Sequence, residues 1–109
     1  MTVVWYRVRD LDAARAFYSG PLGFEERYLD EDGRWARLER DGTQVALAEG
    51  EPEEGGVALV DVVDVKAEAR RLREAGAEVG VVVELHGTMR IVDVFDLDGN
   101  RLQLAEDIA

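Results

Sequence analysis

Two stretches of this chain end alike, and that repetition constrains the fold more than any other feature. Asp41-Gly42 is followed by Val45, Leu47, Ala48 and Glu49; Asp98-Gly99 is followed, at an offset of 57 residues, by Leu102, Leu104, Ala105 and Glu106. Upstream, Asp10-Leu11 and Ala13 are matched by Asp64-Val65 and Ala67 at an offset of 54, so the second half carries an insertion. A period of about 55 residues implies one supersecondary unit used twice, each copy burying a face that it cannot cover alone.

The local patterns within each half say what that unit is. Val3 to Val8 alternates β-branched and aromatic residues, the pattern of a strand. Asp10 is placed to cap a helix running from Leu11 through Tyr18, which Ser19-Gly20-Pro21 stops. Strands are expected at Glu25–Leu29, Arg34–Glu39 and Gln44–Ala48, with Asp30 to Gly33 as a turn and Asp41-Gly42 as a tight hairpin. Glu49 to Gly56 is charged and Gly-rich and reads as a connection. The order then restarts: a strand at Val57–Val63, a helix from Val65 to about Ala75 capped by Asp64 and closed by Gly76, and strands at Val79–Leu85, Met89–Phe95 and Arg101–Ala105, with His86-Gly87 as a turn. The fold class is therefore α+β: two tandem βαβββ modules, residues 1–49 and 57–109 of a single domain 1–109, with a linker at 50–56. Together they form a curved, cup-like mixed sheet with helices on the outer face.

One helix covers one face of a four-stranded sheet, so alternation sorts the side chains. Val4, Tyr6, Val8, Val45, Leu47, Ala58, Val60, Val62, Leu102 and Leu104 face the helices. The opposite parity holds Trp5, Arg7, Gln44, Ala46, Leu59, Asp61, Arg101 and Gln103, the mixed lining of a ligand cup. The 57-residue offset matches Leu38 with Phe95 as core positions and leaves Trp35 and Arg37 on the cup side. Asp61 is the counterpart of Arg7. The two charges can approach across the cup, either to grip a polar ligand or as a structural ion pair. Two tryptophans on this face can sandwich an aromatic ligand or a cation, or fill a dimer interface.

Three stretches together resemble the vicinal oxygen chelate superfamily of glyoxalases, bleomycin-resistance proteins and extradiol dioxygenases. They are Val8-Arg9-Asp10-Leu11 through Phe17-Tyr18 with Leu22-Gly23-Phe24; Leu72-Arg73-Glu74-Ala75-Gly76-Ala77; and Arg90 to Phe95 with Asp96-Leu97-Asp98-Gly99-Asn100. Leu97 stands where the family usually has proline. The resemblance implies a paired-module fold and, in metal-using members, four ligands on inner strands. Those positions fall here on Val3, Ala46, Val57 and Gln103, of which only the glutamine offers an oxygen, so no metal or other cofactor is expected. The resemblance also puts Arg90 near the ligand pocket and makes a homodimer plausible.

The remaining features mainly exclude. There are no cysteines, which removes disulfides and thiol chemistry. A formal charge of −11 disfavours nucleic acid and anionic membranes; it reads first as a solvated acidic surface and second as an attraction for cationic guests. No apolar run reaches the ~20 residues of a membrane span, and no leader pattern is seen, so a cytoplasmic protein is expected. His86, the only histidine, reads as a solvated turn residue. The leading expectation is a metal-independent protein that sequesters an aromatic or cationic small molecule. Trp5, Arg7, Trp35, Arg37, Asp61, Arg90 and Gln103 are the candidate contacts, with no catalytic residues assigned. The alternatives are a metal-dependent lyase, isomerase or dioxygenase of the same superfamily, and a module that dimerises without any ligand.

Overall fold

The computed structural model describes residues 3–53 and 55–109. Met1 and Thr2, assigned above to the first module, and Glu54, assigned to the linker, lie outside the described residues. The order is β1 (Val3–Val8), α1 (Leu11–Ser19), β2 (Glu25–Asp30), β3 (Trp35–Arg40), β4 (Thr43–Glu49), β5 (Ala58–Asp61), α2 (Val65–Glu74), β6 (Glu78–Val79), β7 (Val83–Leu85), β8 (Met89–Phe95) and β9 (Arg101–Asp107). One mixed sheet has the order β1-β4-β3-β2 and the other β5-β9-β8-β6, with β7 also on β8. In each, the strand before the helix pairs in parallel with the last strand, and the other pairs are antiparallel. The sheets are not closed into a barrel.

Each helix starts where its aspartate can accept from a free backbone N–H. Asp10 accepts from Ala13 and Asp64 from Ala67, both at 3.1 Å. Gly76 has the positive φ of 88° that ends the second helix. The two-residue loop Asp41-Gly42 has positive φ at both positions, as a tight hairpin between twisted strands requires.

The repeat is also visible as a second cap that the sequence patterns did not reveal. Glu49 closes β4 and accepts from the Leu11 N–H at 3.0 Å, while Glu106 near the end of β9 accepts from the Val65 N–H at 2.9 Å. The glutamate that ends each half thus satisfies the first turn of that half's own helix.

Two expectations are corrected. The strand expected at Val79–Leu85 is interrupted: β6 and β7 both lie along β8, but the register slips by one residue between Val79↔Val94 and Val83↔Ile91. Gly80 keeps one bond across the gap, its N–H to Asp93 O at 2.8 Å. The first module has an equivalent bulge between Glu26 and Tyr28. The second correction concerns the offset. Leu38 pairs with Val45, and Val94 pairs with Leu102, so the counterpart of Leu38 is Val94 rather than Phe95. The β8–β9 loop is longer than the β3–β4 loop, and counting back across it changes the parity by one. Trp35 and Arg37 nevertheless lie on the cup side, because Ala36 and Leu38 are buried beneath them.

The helix-side residues of both sheets form one core, with Tyr6, Val8, Leu11, Tyr18, Leu47, Val60, Leu72 and Leu104 among its members. Specific bonds cross between the halves. The Tyr6 hydroxyl accepts from the Ala58 N–H at 2.9 Å and donates to Arg101 O at 2.5 Å. The Tyr18 hydroxyl donates to buried Asp96 at 2.8 Å, and the Asn100 amide spans from Asp96 to Arg7 O, 2.9 Å each. Asp96 also accepts from the backbone N–H groups of Asp98 and Asn100. Arg40 holds Glu68 of α2; burial pushes that carboxyl up, but Arg40 and Arg71 outweigh it and hold it below the usual range.

Burial, with the adjacent Asp96 charge and its hydrogen bond, raises the Tyr18 hydroxyl well above its ordinary value. A raised folded pKa gives stability that is complete below the unfolded tyrosine value of about 10 and is lost as pH rises through the folded value. Tyr18→Phe is therefore expected to lower stability by about 1–3 kcal/mol at neutral pH. It should also flatten the fall in denaturation midpoint above about pH 10. An unchanged alkaline slope would contradict this role.

Candidate functional site

β1, β4 and β3 run side by side, and their inner side chains make two rows. Trp5, Ala46 and Arg37 are direct cross-strand neighbours, as are Arg7, Ala48 and Trp35. The alanines are buried and form a floor. The tryptophans stand on one diagonal with ring centroids 6.5 Å apart, and the arginines stand on the other. The Arg7 guanidinium lies 5.8 Å from the Trp5 ring centroid. Tyr28 extends the aromatic surface, 4.9 Å from Trp35. Trp35 is held in orientation by donating its Nε1–H to Asp30 at 3.2 Å. The face is open: Trp5 is 48% and Tyr28 46% exposed.

Tyr28 was missed because strict alternation along β2 places it away from the cup. The bulge next to it adds one residue and reverses its facing. Only the turn chemistry of Asp30 to Gly33 hinted at irregularity there, and it did not locate the slip.

The other candidates divide. Gln103 shares the inner face of the second sheet with Leu59, its β5 neighbour, and donates to Asp93 at 3.1 Å. Asp61 is exposed at the end of β5. It is not brought to Arg7, whose ion pair is with Glu53 of the linker at 3.7 Å. Arg37 is exposed and makes no ion pair or side-chain hydrogen bond among the described residues.

Arg90 lies elsewhere. It shares the parity of Val92 and Val94, which face the core, and reaches Glu84 at 3.4 Å and Glu106 at 3.5 Å. In the first module Arg34 grips Glu49 in the same way, at 3.1 Å. The two arginines are counterparts, each fixing the glutamate that caps its module's helix. The geometry therefore separates Arg90 from the aromatic face. His86 is exposed in the β7–β8 turn with φ of 51°.

A cleft of about 580 Å³ opens between the linker and the β8–β9 loop, beside Tyr6, Glu53, Phe95, Asn100 and Arg101. It does not lie over the paired tryptophans. Phe95, taken from sequence as core, is half-buried on its wall.

A family model for the "Glyoxalase/Bleomycin resistance protein/Dioxygenase superfamily" matches residues 2–104. The chain belongs to that superfamily. Solved structures of the same fold include an integron cassette protein from the mobile metagenome of a Halifax Harbour sewage outfall. It is 24% identical with a TM-score of 0.85, covering 97% of each chain. TnmS3, an antibiotic-binding protein from Streptomyces sp. CB03234, is 26% identical with a TM-score of 0.77, over 98% of this chain and 96% of that one. FosX, a fosfomycin resistance protein from Listeria monocytogenes, is 18% identical with a TM-score of 0.82, over 98% and 90%. No curated protein matches the sequence significantly.

The four residues that the resemblance places at the superfamily's metal positions do not make a donor set suited to a divalent ion. Val3, Ala46 and Val57 present only hydrocarbon, and the Gln103 amide is engaged with Asp93. Among the described residues no three His, Cys, Asp or Glu side chains gather to hold a metal. A hard divalent cation needs several oxygen or imidazole donors, which this set does not supply.

Two outcomes are expected from the capping pairs. Arg90→Ala should reduce thermal stability while leaving any ligand affinity unchanged, whereas Arg37→Ala should leave the melting temperature within about 2 °C. Glu49 is held below the ordinary carboxyl range by its bond to Arg34 first and then by the Leu11 N–H. A depressed folded pKa gives stability that is present above the unfolded value of about 4.3 and is lost as pH falls through the folded value. Glu49→Gln should therefore show a shallower loss of stability on acidification below about pH 4.3, read from urea midpoints.

Proposed function

We propose that this member of the superfamily is a metal-independent binding protein that sequesters an aromatic small molecule on its inner sheet face without breaking a bond in it. The observation that carries the reading is the Trp5–Trp35 pair over an alanine floor, with Tyr28 alongside, in a chain whose metal-ligand positions are largely hydrocarbon. Exposed indoles and a phenol give a large, rigid apolar surface at small entropic cost, and their faces stack on planar rings. The relative described as antibiotic-binding supports a small-molecule ligand, at 26% identity. A cationic guest is the second reading, favoured by the net charge of −11.

The protein acts in the cytoplasm as a homodimer, the open face of the second sheet being available to a second copy. Leu59, Val83 and Leu85 give the second sheet an exposed aliphatic surface that fits this arrangement.

Thermal-shift screening against planar aromatic compounds should find ligands that raise the melting temperature by mass action. Trp5→Ala and Trp35→Ala should each weaken such binding about ten- to a hundredfold. Metal analysis of the purified protein should find no stoichiometric divalent ion, and prior treatment with chelator should leave binding unchanged. A stoichiometric metal required for binding would refute the proposal.

A further inference from the structure

We infer that the aromatic face selects planar aromatic anions, such as aryl carboxylates, against the sign of the whole molecule's charge. This rests on the reading of that face as a ligand site and adds the class of ligand. The net charge of −11 is a property of the surface at large, whereas a bound ligand meets the groups beside it. At this face those groups are the guanidiniums of Arg7 and Arg37.

The carboxylates nearby are already engaged. Asp30 accepts from the Trp35 Nε1–H and from the Gly33 N–H. Glu39 accepts from Gln44 and lies 3.9 Å from Arg27. Arg37 has no partner among the described residues, so its guanidinium is open to a ligand, while Asp30, bonded only by neutral donors, is turned to the Trp35 indole N–H. Among the described residues Arg7 is matched only by Glu53, at 3.7 Å, and that carboxylate sits on the linker with 69% of its side chain exposed. Glu53 thus occupies Arg7 as a displaceable counter-ion.

The spacing suits one small planar guest. Trp5 and Arg37 are separated by the single intervening strand β4, about 10 Å between backbones. A fused two-ring ligand lying on Ala46 and Ala48 can stack against an indole and still place a carboxylate within reach of a guanidinium. Arginine meets a carboxylate through two parallel N–H bonds, a geometry that an amide or an ammonium cannot reproduce.

Three ligands of one shape test this by calorimetry at low ionic strength: 2-naphthoate, 2-naphthamide and 2-naphthylmethylammonium. The naphthoate should bind at least about tenfold more tightly than either of the others. Arg37→Gln should abolish that advantage, bringing naphthoate binding down to that of the amide. Glu53→Gln, which releases Arg7, should tighten naphthoate binding about two- to fivefold, a gain that a misfolded variant cannot produce. If the amide or the ammonium binds as tightly as the naphthoate, the inference of an anion falls while the aromatic site stands. Naphthoate binding that is indifferent to both Arg37→Gln and Glu53→Gln would equally overturn it. If none of the three binds, the aromatic site itself is wrong and the inference falls with it.

Discussion

A buried carboxylate holds the two halves of this protein in place. Asp96 lies in the loop between the last two strands, yet it accepts a hydrogen bond from the Tyr18 hydroxyl of the first helix. Through Asn100 it is tied to the backbone of the first strand. Leaving a charge in such a position without donors would be costly, and here four donors converge on it. The loop therefore adopts the one shape that delivers them, and the relative placement of the sheets follows. Tyr6 makes a similar link nearer the first strand of each half. Since Trp5 and Arg7 flank Tyr6 on β1, the network that joins the modules also fixes the inner face.

Each module also completes its own helix. An aspartate and the terminal glutamate of the same half supply acceptors for the first turn, and an arginine, Arg34 just before β3 or Arg90 in β8, pairs with the glutamate. This accounts for the recurrence of a glutamate at the close of both repeats. It equally explains an arginine, Arg90, that family likeness had drawn toward the ligand. Its position is owed to helix capping, and its counterpart is Arg34 rather than Arg37.

Much of the architecture was legible because it rests on local rules. Alternation separated Tyr6, Val8, Leu47 and Leu104 from Trp5, Arg7 and Ala46, and the Asp-Gly pairs located the hairpins. What escaped depended on one-residue slips. A bulge turned Tyr28 onto the inner face, another split the strand before His86, and unequal hairpin loops moved the counterpart of Leu38 from Phe95 to Val94. Such slips reverse the facing of every residue beyond them, and they are set by backbone pairing that side-chain patterns do not encode. The contact between Arg7 and Asp61 also failed to appear, since a pseudo-two-fold match in sequence fixes equivalence and not distance.

The two bulges have an effect on how copies of this chain can meet. They fall on β2 and on the broken β6–β7 edge, one rim of each sheet, while β1 and β5 form the opposite rims. A strand arriving from another molecule needs an unbroken row of alternating N–H and C=O groups, and both bulged rims interrupt that row by one residue. Polymerisation by adding strand to strand is therefore disfavoured at these two bulged rims.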